Sequence, residues 1–134
     1  MPSAKAQVLD MGNCSPDHGM IRQMLTKHFD VDVDCVMFVD EALAKMREKN
    51  YSLILFNRLI FADGSPGIDL LQKAKADERL AATPMMMISN YPRAHQDAVA
   101  AGAEPGFGKA ALFDPQTIAL LSKYLPKKEP GAGA

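Results

Sequence analysis

The sequence predicts a doubly wound α/β domain with five parallel strands in the order 2-1-3-4-5 and helices on both faces of the sheet. Three observations carry that expectation. Strand-like and helix-like segments alternate along the chain with short connections between them. The segment "SLILFN" is apolar almost throughout, as a strand covered on both faces must be. The length, 134 residues of which 48% are hydrophobic, suits one core that closes without disulfide or metal support.

Taken in order, "AQVLDM" reads as the first strand. "SPDHGMIRQMLTKHF" follows as the first helix, with Ser15 as its cap and Pro16 at the first helical position, where a missing N–H costs nothing. Met20, Ile21, Met24 and Leu25 recur at helical spacing and define its inner face. "VDVDCVM" alternates as a strand with one polar face, and "DEALAKMREKN" is a helix with its charges outward. "SLILFN" is the third strand, and "PGIDLLQKAKADERL" an amphipathic helix beginning just after a proline. "TPMMMIS" is the fourth strand. Met85, Met86 and Met87 alternate between its faces, so they fill core and cannot converge on a metal. Pro92 opens the fourth helix and Gly102 closes it. "PGFGK" is the fifth strand, and "DPQTIALLSKYL" the last helix, with Asp114 as cap and Pro115 at its first position. Five such βα units with right-handed crossovers make a flavodoxin-like sheet. Residues 1–125 form the domain in this reading, and 126–134, "PKKEPGAGA", a flexible tail.

Composition narrows the function. A net charge of -1 supplies no field for a phosphate backbone, and the one dense basic pair, Lys127 and Lys128, lies in the tail, so nucleic acid is not an expected partner. The amino terminus has neither the apolar run of a signal peptide nor a membrane span. Cys14 and Cys35 form no C-x-x-C pattern. The expectation is a cytoplasmic protein with reduced thiols and no membrane contact.

In an open α/β sheet the carboxyl ends of the strands carry the chemistry, and the third strand ends on an amide, Asn57. Around it the chain resembles the receiver (CheY-like) domain of two-component response regulators, over about Lys5 to Leu125. "YSLILFN" is similar to the family's Y-D-L-[IV]-L-x-D strand, "DGSPGIDLL" to its turn into the third helix, and "FVDEALAKM" to the opening of its second helix. "ADERLAATPMMMIS" and "AVAAGAEPGFGKA" resemble the passages that end the fourth and fifth strands. The resemblance implies a signalling domain and no enzyme, with a histidine kinase or a downstream effector as partner. A homodimer through the fourth helix, fifth strand and fifth helix is conceivable from the family but unsupported, because Gly106, Gly108 and Ala110 replace bulkier residues there.

The resemblance also assigns positions. The phosphoacceptor aspartate falls on Asn57, and the acidic pair that holds Mg²⁺ on Gly12 and Asn13. Ser89 and Lys109 match the family's Ser/Thr and Lys, while the aromatic switch position is Gly106. An amide cannot form an acyl phosphate, and these positions offer no anionic oxygen to a hard cation, so Mg²⁺ binding is expected to be absent or weak and no other cofactor is implied. The chain therefore reads as a pseudo-receiver, acting in phosphorelay-type signalling through protein contacts. Two alternatives stay open: a displaced phosphoacceptor, Asp10 or Asp63, with Asp10 as substitute acid if the first strand ends earlier, or a small anion at the sheet's switch point near Gly12, Asn13, Ser89 and Lys109. Lys109 is expected to pair with Asp10 or Asp63, since a lone buried charge is costly. "MGNCSPDH" is similar to a tyrosine-phosphatase loop but lacks its C-x5-R cradle, and Cys14 with His18 is too small a set for a metal.

Overall fold

The computed structural model describes residues 5–128. Its five strands, β1 (Ala6–Met11), β2 (Val31–Val36), β3 (Leu53–Asn57), β4 (Met85–Ile88) and β5 (Glu104–Phe107), form one parallel sheet in the order β2-β1-β3-β4-β5. The helices are α1 (Ser15–His28), α2 (Val39–Glu48), α3 (Ile68–Lys75), α4 (Pro92–Ala100) and α5 (Pro115–Leu121). A 3₁₀ turn, Lys109–Ala111, precedes the last of them.

Two cores flank the sheet because successive strand residues face opposite sides. Leu9, Met11, Ile54, Phe56, Met85 and Met87 pack under α2, α3 and α4, against Leu43, Met46, Leu70, Leu71 and Ala98. Val8, Leu53, Leu55, Met86 and Ile88 pack under α1 and α5, against Ile21, Met24, Leu25 and Leu121. The methionine run divides between the two faces as a strand requires. Asp10 shares the parity of Val8 and so points toward α1, with no exposed surface.

Several expected boundaries move. The cap of α1 is Cys14, not Ser15, which already has helical backbone, and Pro16 is then the second helical residue. Met20 leaves the inner face and is exposed, whereas Ile21, Met24 and Leu25 are buried. The third helix stops at Lys75, short of the expected Leu80. Asp77 ends it by accepting the Arg79 N–H at 3.0 Å, a local bond that competes with helix, yet Leu80 still reaches the core. The tail boundary also shifts. Pro126 O accepts the Asp30 N–H at 2.9 Å, Lys128 N–H donates to His28 O at 3.1 Å, and Phe29 bridges to Lys127. Pro126 to Lys128 thus belong to the folded unit, and the remainder of the expected tail lies outside the described residues.

Candidate functional site

The loops after β1, β3, β4 and β5 meet at the carboxyl edge of the sheet. There Asn57, Arg58, Leu59, Ser89, Asn90, Tyr91 and Lys109 line a cleft of about 180 Å³. The structure therefore brings Asn57, Ser89 and Lys109 together, as the sequence positions require. Gly12 closes against them, with its backbone oxygen accepting from Asn57 and its α-carbon facing Ile60 and Asn57 Cβ.

Asn57 is held by its nitrogen. Nδ2 donates to Leu59 O at 2.7 Å and to Gly12 O at 3.3 Å, tying the end of β3 to its own loop and to the end of β1. An aspartate, with acceptors only when ionised, could make neither bond. The loop beyond is fastened further by Ile60 N–H to Ser65 O, Phe61 N–H to Gly12 O and an antiparallel bridge between Leu59 and Pro66. Gly67 ends it under the strand, where any Cβ would lie 1.8 Å from Asn57 O.

The two positions matched to the acidic pair serve different purposes. Gly12 has φ of 86°, a left-handed conformation in which an aspartate is strained. Asn13 is buried and is not among the residues that line the cleft. Its Nδ2 donates to Asp10 Oδ1 at 2.5 Å, while its Oδ1 has no hydrogen-bond partner among the described residues. Asp10 accepts a second bond from His18 Nδ1 at 2.7 Å, an ion pair whenever the imidazole is protonated. The strand runs past Asp10 to Met11, so Asp10 lies under α1 and does not line the cleft. Asp63 is exposed in the β3–α3 loop, where its carboxylate accepts from the Ser65 N–H and hydroxyl, bonds that hold it below the usual carboxylate range.

Lys109 pairs with neither expected acid. Its Nζ donates to Asp17 Oδ2 at 2.7 Å, across 92 residues of chain, and this bond is the main cause of the lowered Asp17 pKa. Asp17 stands on the first turn of α1, where a carboxylate also favours the helix dipole. Nothing in local sequence marks that pairing, because it depends on how α1 crosses the edge of the sheet.

Ser89 is buried, and both its hydroxyl oxygen and its carbonyl accept a bond. Its hydroxyl oxygen accepts the Tyr91 N–H at 3.1 Å, and its carbonyl accepts from His95 Nε2 at 2.6 Å. His95, absent from the sequence reading, fills the corner next to Gly106. A Cβ on Gly106 would sit 2.1 Å from Met87 O and 3.2 Å from His95 Cε1, and the β4–β5 register is irregular between Met86 and Ile88. The position cannot carry a side chain of any kind without backbone movement, least of all an aromatic one. On the opposite rim the Arg58 guanidinium lies over the Tyr91 ring, 4.5 Å from its centroid. Asn90 Oδ1 accepts the Ala110 N–H and fixes the turn that carries Lys109. Among the described residues the cleft thus has two cations on its walls and no carboxylate lining it.

Similarity to solved structures is extensive at low sequence identity. A putative response regulator from Chloroflexus aurantiacus superposes with a TM-score of 0.77 at 18% identity, over 90% of this chain and 96% of that one. The chemotaxis protein CheY4 of Vibrio cholerae gives 0.72 at 22%, over 91% and 100%. The fold is that of a response-regulator receiver domain. NtrX of Brucella abortus gives 0.76 at 19%, over 91% of this chain but 27% of its own, so there the match covers one part of a longer protein. No protein-family model matches the sequence, and no curated protein matches it. Among the described residues no helix is long and apolar enough to cross a membrane.

Proposed function

We propose that the chain is a pseudo-receiver, a phosphorylation-independent module that works in two-component or phosphorelay-type signalling through contacts with a kinase or effector, in the cytoplasm and without enzymatic activity. The observation that carries this reading is the use of Asn57 as a donor. Its amide nitrogen holds two backbone carbonyls, so the residue serves as a structural tie at the position where a receiver would present a nucleophile. Two further features support it. Gly106 has no room for a ring, and the Ser89 hydroxyl oxygen accepts the Tyr91 N–H, which ties that side chain to the loop after β4.

Protein contact is supported by the apolar residues on the same edge. Phe38, Leu59, Phe61, Tyr91 and Phe113 are exposed on or beside the loops that follow β2, β3, β4 and β5. Without a charged reaction centre among them, that edge is suited to binding a protein surface. The test is thermal denaturation with Mg²⁺ and beryllofluoride, a phosphoryl mimic. The midpoint should not change. A saturable rise requiring both components would overturn the reading, because binding to the native state stabilises by mass action.

The cations of the cleft favour one second reading, a small anion held by Arg58 and Lys109. Calorimetric titration with inorganic phosphate checks it, and no heat at millimolar concentration removes it.

A further inference from the structure

Outside the cleft, one group of side chains is not used by the reading above. Asp10, His18 and Cys35 come from β1, α1 and β2, and one donor atom from each lies within 4.8 Å of the other two. The sheet register makes this possible by setting Asp10 directly beside Cys35. Both point to the α1 side, where His18, one turn into the helix, reaches down to the carboxylate.

We propose that these three residues form a binding site for a late first-row divalent cation such as Zn²⁺, distinct from the receiver-type Mg²⁺ position near Asn57. The donor set decides the class of ion. One carboxylate oxygen, one imidazole nitrogen and one thiol sulfur suit a borderline ion that accepts N and S ligands, whereas Mg²⁺ requires oxygen. The reach is adequate as well. Bonds of about 2.0–2.3 Å to a tetrahedral ion put its donors about 3.3–3.7 Å apart, so the trio must close by roughly 1 Å at its widest, while the His18–Asp10 pair, now 2.7 Å apart, must open by about 0.6 Å to admit the ion. Cys35 is exposed on an edge strand, where a change of χ1 can supply that movement and where an ion can approach from solvent.

A second observation lies beside the trio. Asn13 is buried, its nitrogen sits on Asp10 Oδ1, and its own oxygen has no partner among the described residues. Buried orphan acceptors are rare and call for a cause. A cation beside Asp10 gives the amide oxygen a positive neighbour, either directly or after the amide turns over, since the two amide ends are an assignment. The same cation would balance the buried Asp10 carboxylate with a double charge, in place of the single hydrogen bond that His18 Nδ1 now supplies. On binding, the Cys35 thiol loses its proton to solvent, and His18 ligates as neutral imidazole with its proton on the ring nitrogen that does not bind. No electron transfer is involved.

The experiment is equilibrium dialysis of the intact, reduced protein against Zn²⁺, with Co²⁺ as a spectroscopic substitute. One ion should bind per chain, the Co²⁺ form should show thiolate-to-metal charge transfer, and a large excess of Mg²⁺ should not compete. Cys35→Ser and His18→Gln should each weaken binding at least about tenfold, with Cys35→Ser also abolishing the charge-transfer band. Cys14→Ser should change neither. Circular dichroism checks that each variant is folded, and Cys35→Ser alters only an exposed side chain. Absence of binding at 100-fold excess of Zn²⁺ over protein would overturn the proposal. So would affinity that survives Cys35→Ser, or affinity that falls with Cys14→Ser.

Discussion

Replacing Asn57 by aspartate restores the residue type a receiver uses, and the structure says that this change should harm the fold. The amide nitrogen now donates to Leu59 O at 2.7 Å and to Gly12 O at 3.3 Å. Gly12 O keeps a second donor, the Phe61 N–H at 2.9 Å, so the bond to Leu59 is the principal loss. A net hydrogen bond contributes about 0.5–1.5 kcal/mol, and a carboxylate turned toward two carbonyl oxygens adds a repulsive term of similar size. Attraction from Arg58 and Lys109 on the cleft walls offsets part of this, but Lys109 is already engaged by Asp17. The sum is a destabilisation of roughly 1–3 kcal/mol. With a urea dependence of about 2 kcal/mol per molar, the unfolding midpoint of Asn57→Asp should fall by roughly 0.5–1.5 M with an unchanged slope. A midpoint equal to or above that of the parent would refute the donor role assigned to Asn57.

Other perturbations follow from the same geometry. Gly106→Ala should lose about 3 kcal/mol or more in thermal or urea unfolding, because its Cβ would press on a backbone carbonyl. Gly19→Ala, whose Cβ meets nothing within 4 Å, should instead gain up to about 1 kcal/mol as a helix-interior replacement. Asn13→Asp puts a second carboxylate on Asp10 in a buried position, and a loss of about 3 kcal/mol or more is expected at neutral pH by urea unfolding. Ending the chain after Leu125 removes two backbone hydrogen bonds to His28 and Asp30, so it should lower the urea midpoint relative to a chain ending at Lys128. Equal midpoints would show that this segment contributes nothing.

The architecture was legible because it is written in local patterns. All five strands fall within two residues of their expected ends, since "LILFN" and "MMMI" can be buried only as central strands and "VDVDCV" only as an edge. Helix ends were less legible. Nothing in "KAKADERL" marks the point where Asp77 turns its side chain to a backbone N–H, and Lys75 and Glu78 have similar helix propensity.

At the site, the residue types of Asn57, Gly12 and Asn13 gave the expectation that the carboxylates of a phosphoryl-accepting centre are missing. Their positive roles were not visible. Asn57 donates to carbonyls fixed by loop geometry, Gly12 supplies a positive φ, and Asn13 turns back toward the buried Asp10. The partner of Lys109 was misplaced for the same reason. Asp17 lies 92 residues away, and only the docking of α1 on the sheet brings the two charges to 2.7 Å. His95 carried no sequence signal either, because its contact with Ser89 O depends on the small size of Gly106.

The proposal that the chain takes up no phosphoryl group is tested most directly by the intact mass of the protein after incubation with acetyl phosphate and Mg²⁺. The unmodified mass is the predicted result for the parent chain, and for Asn57→Asp as well, since Gly12 and Asn13 provide no acid to hold the cation that phosphoryl transfer requires. A stable, Mg²⁺-dependent phosphoryl adduct on the parent, mapped to Asp10, Asp63 or any other aspartate, would contradict it.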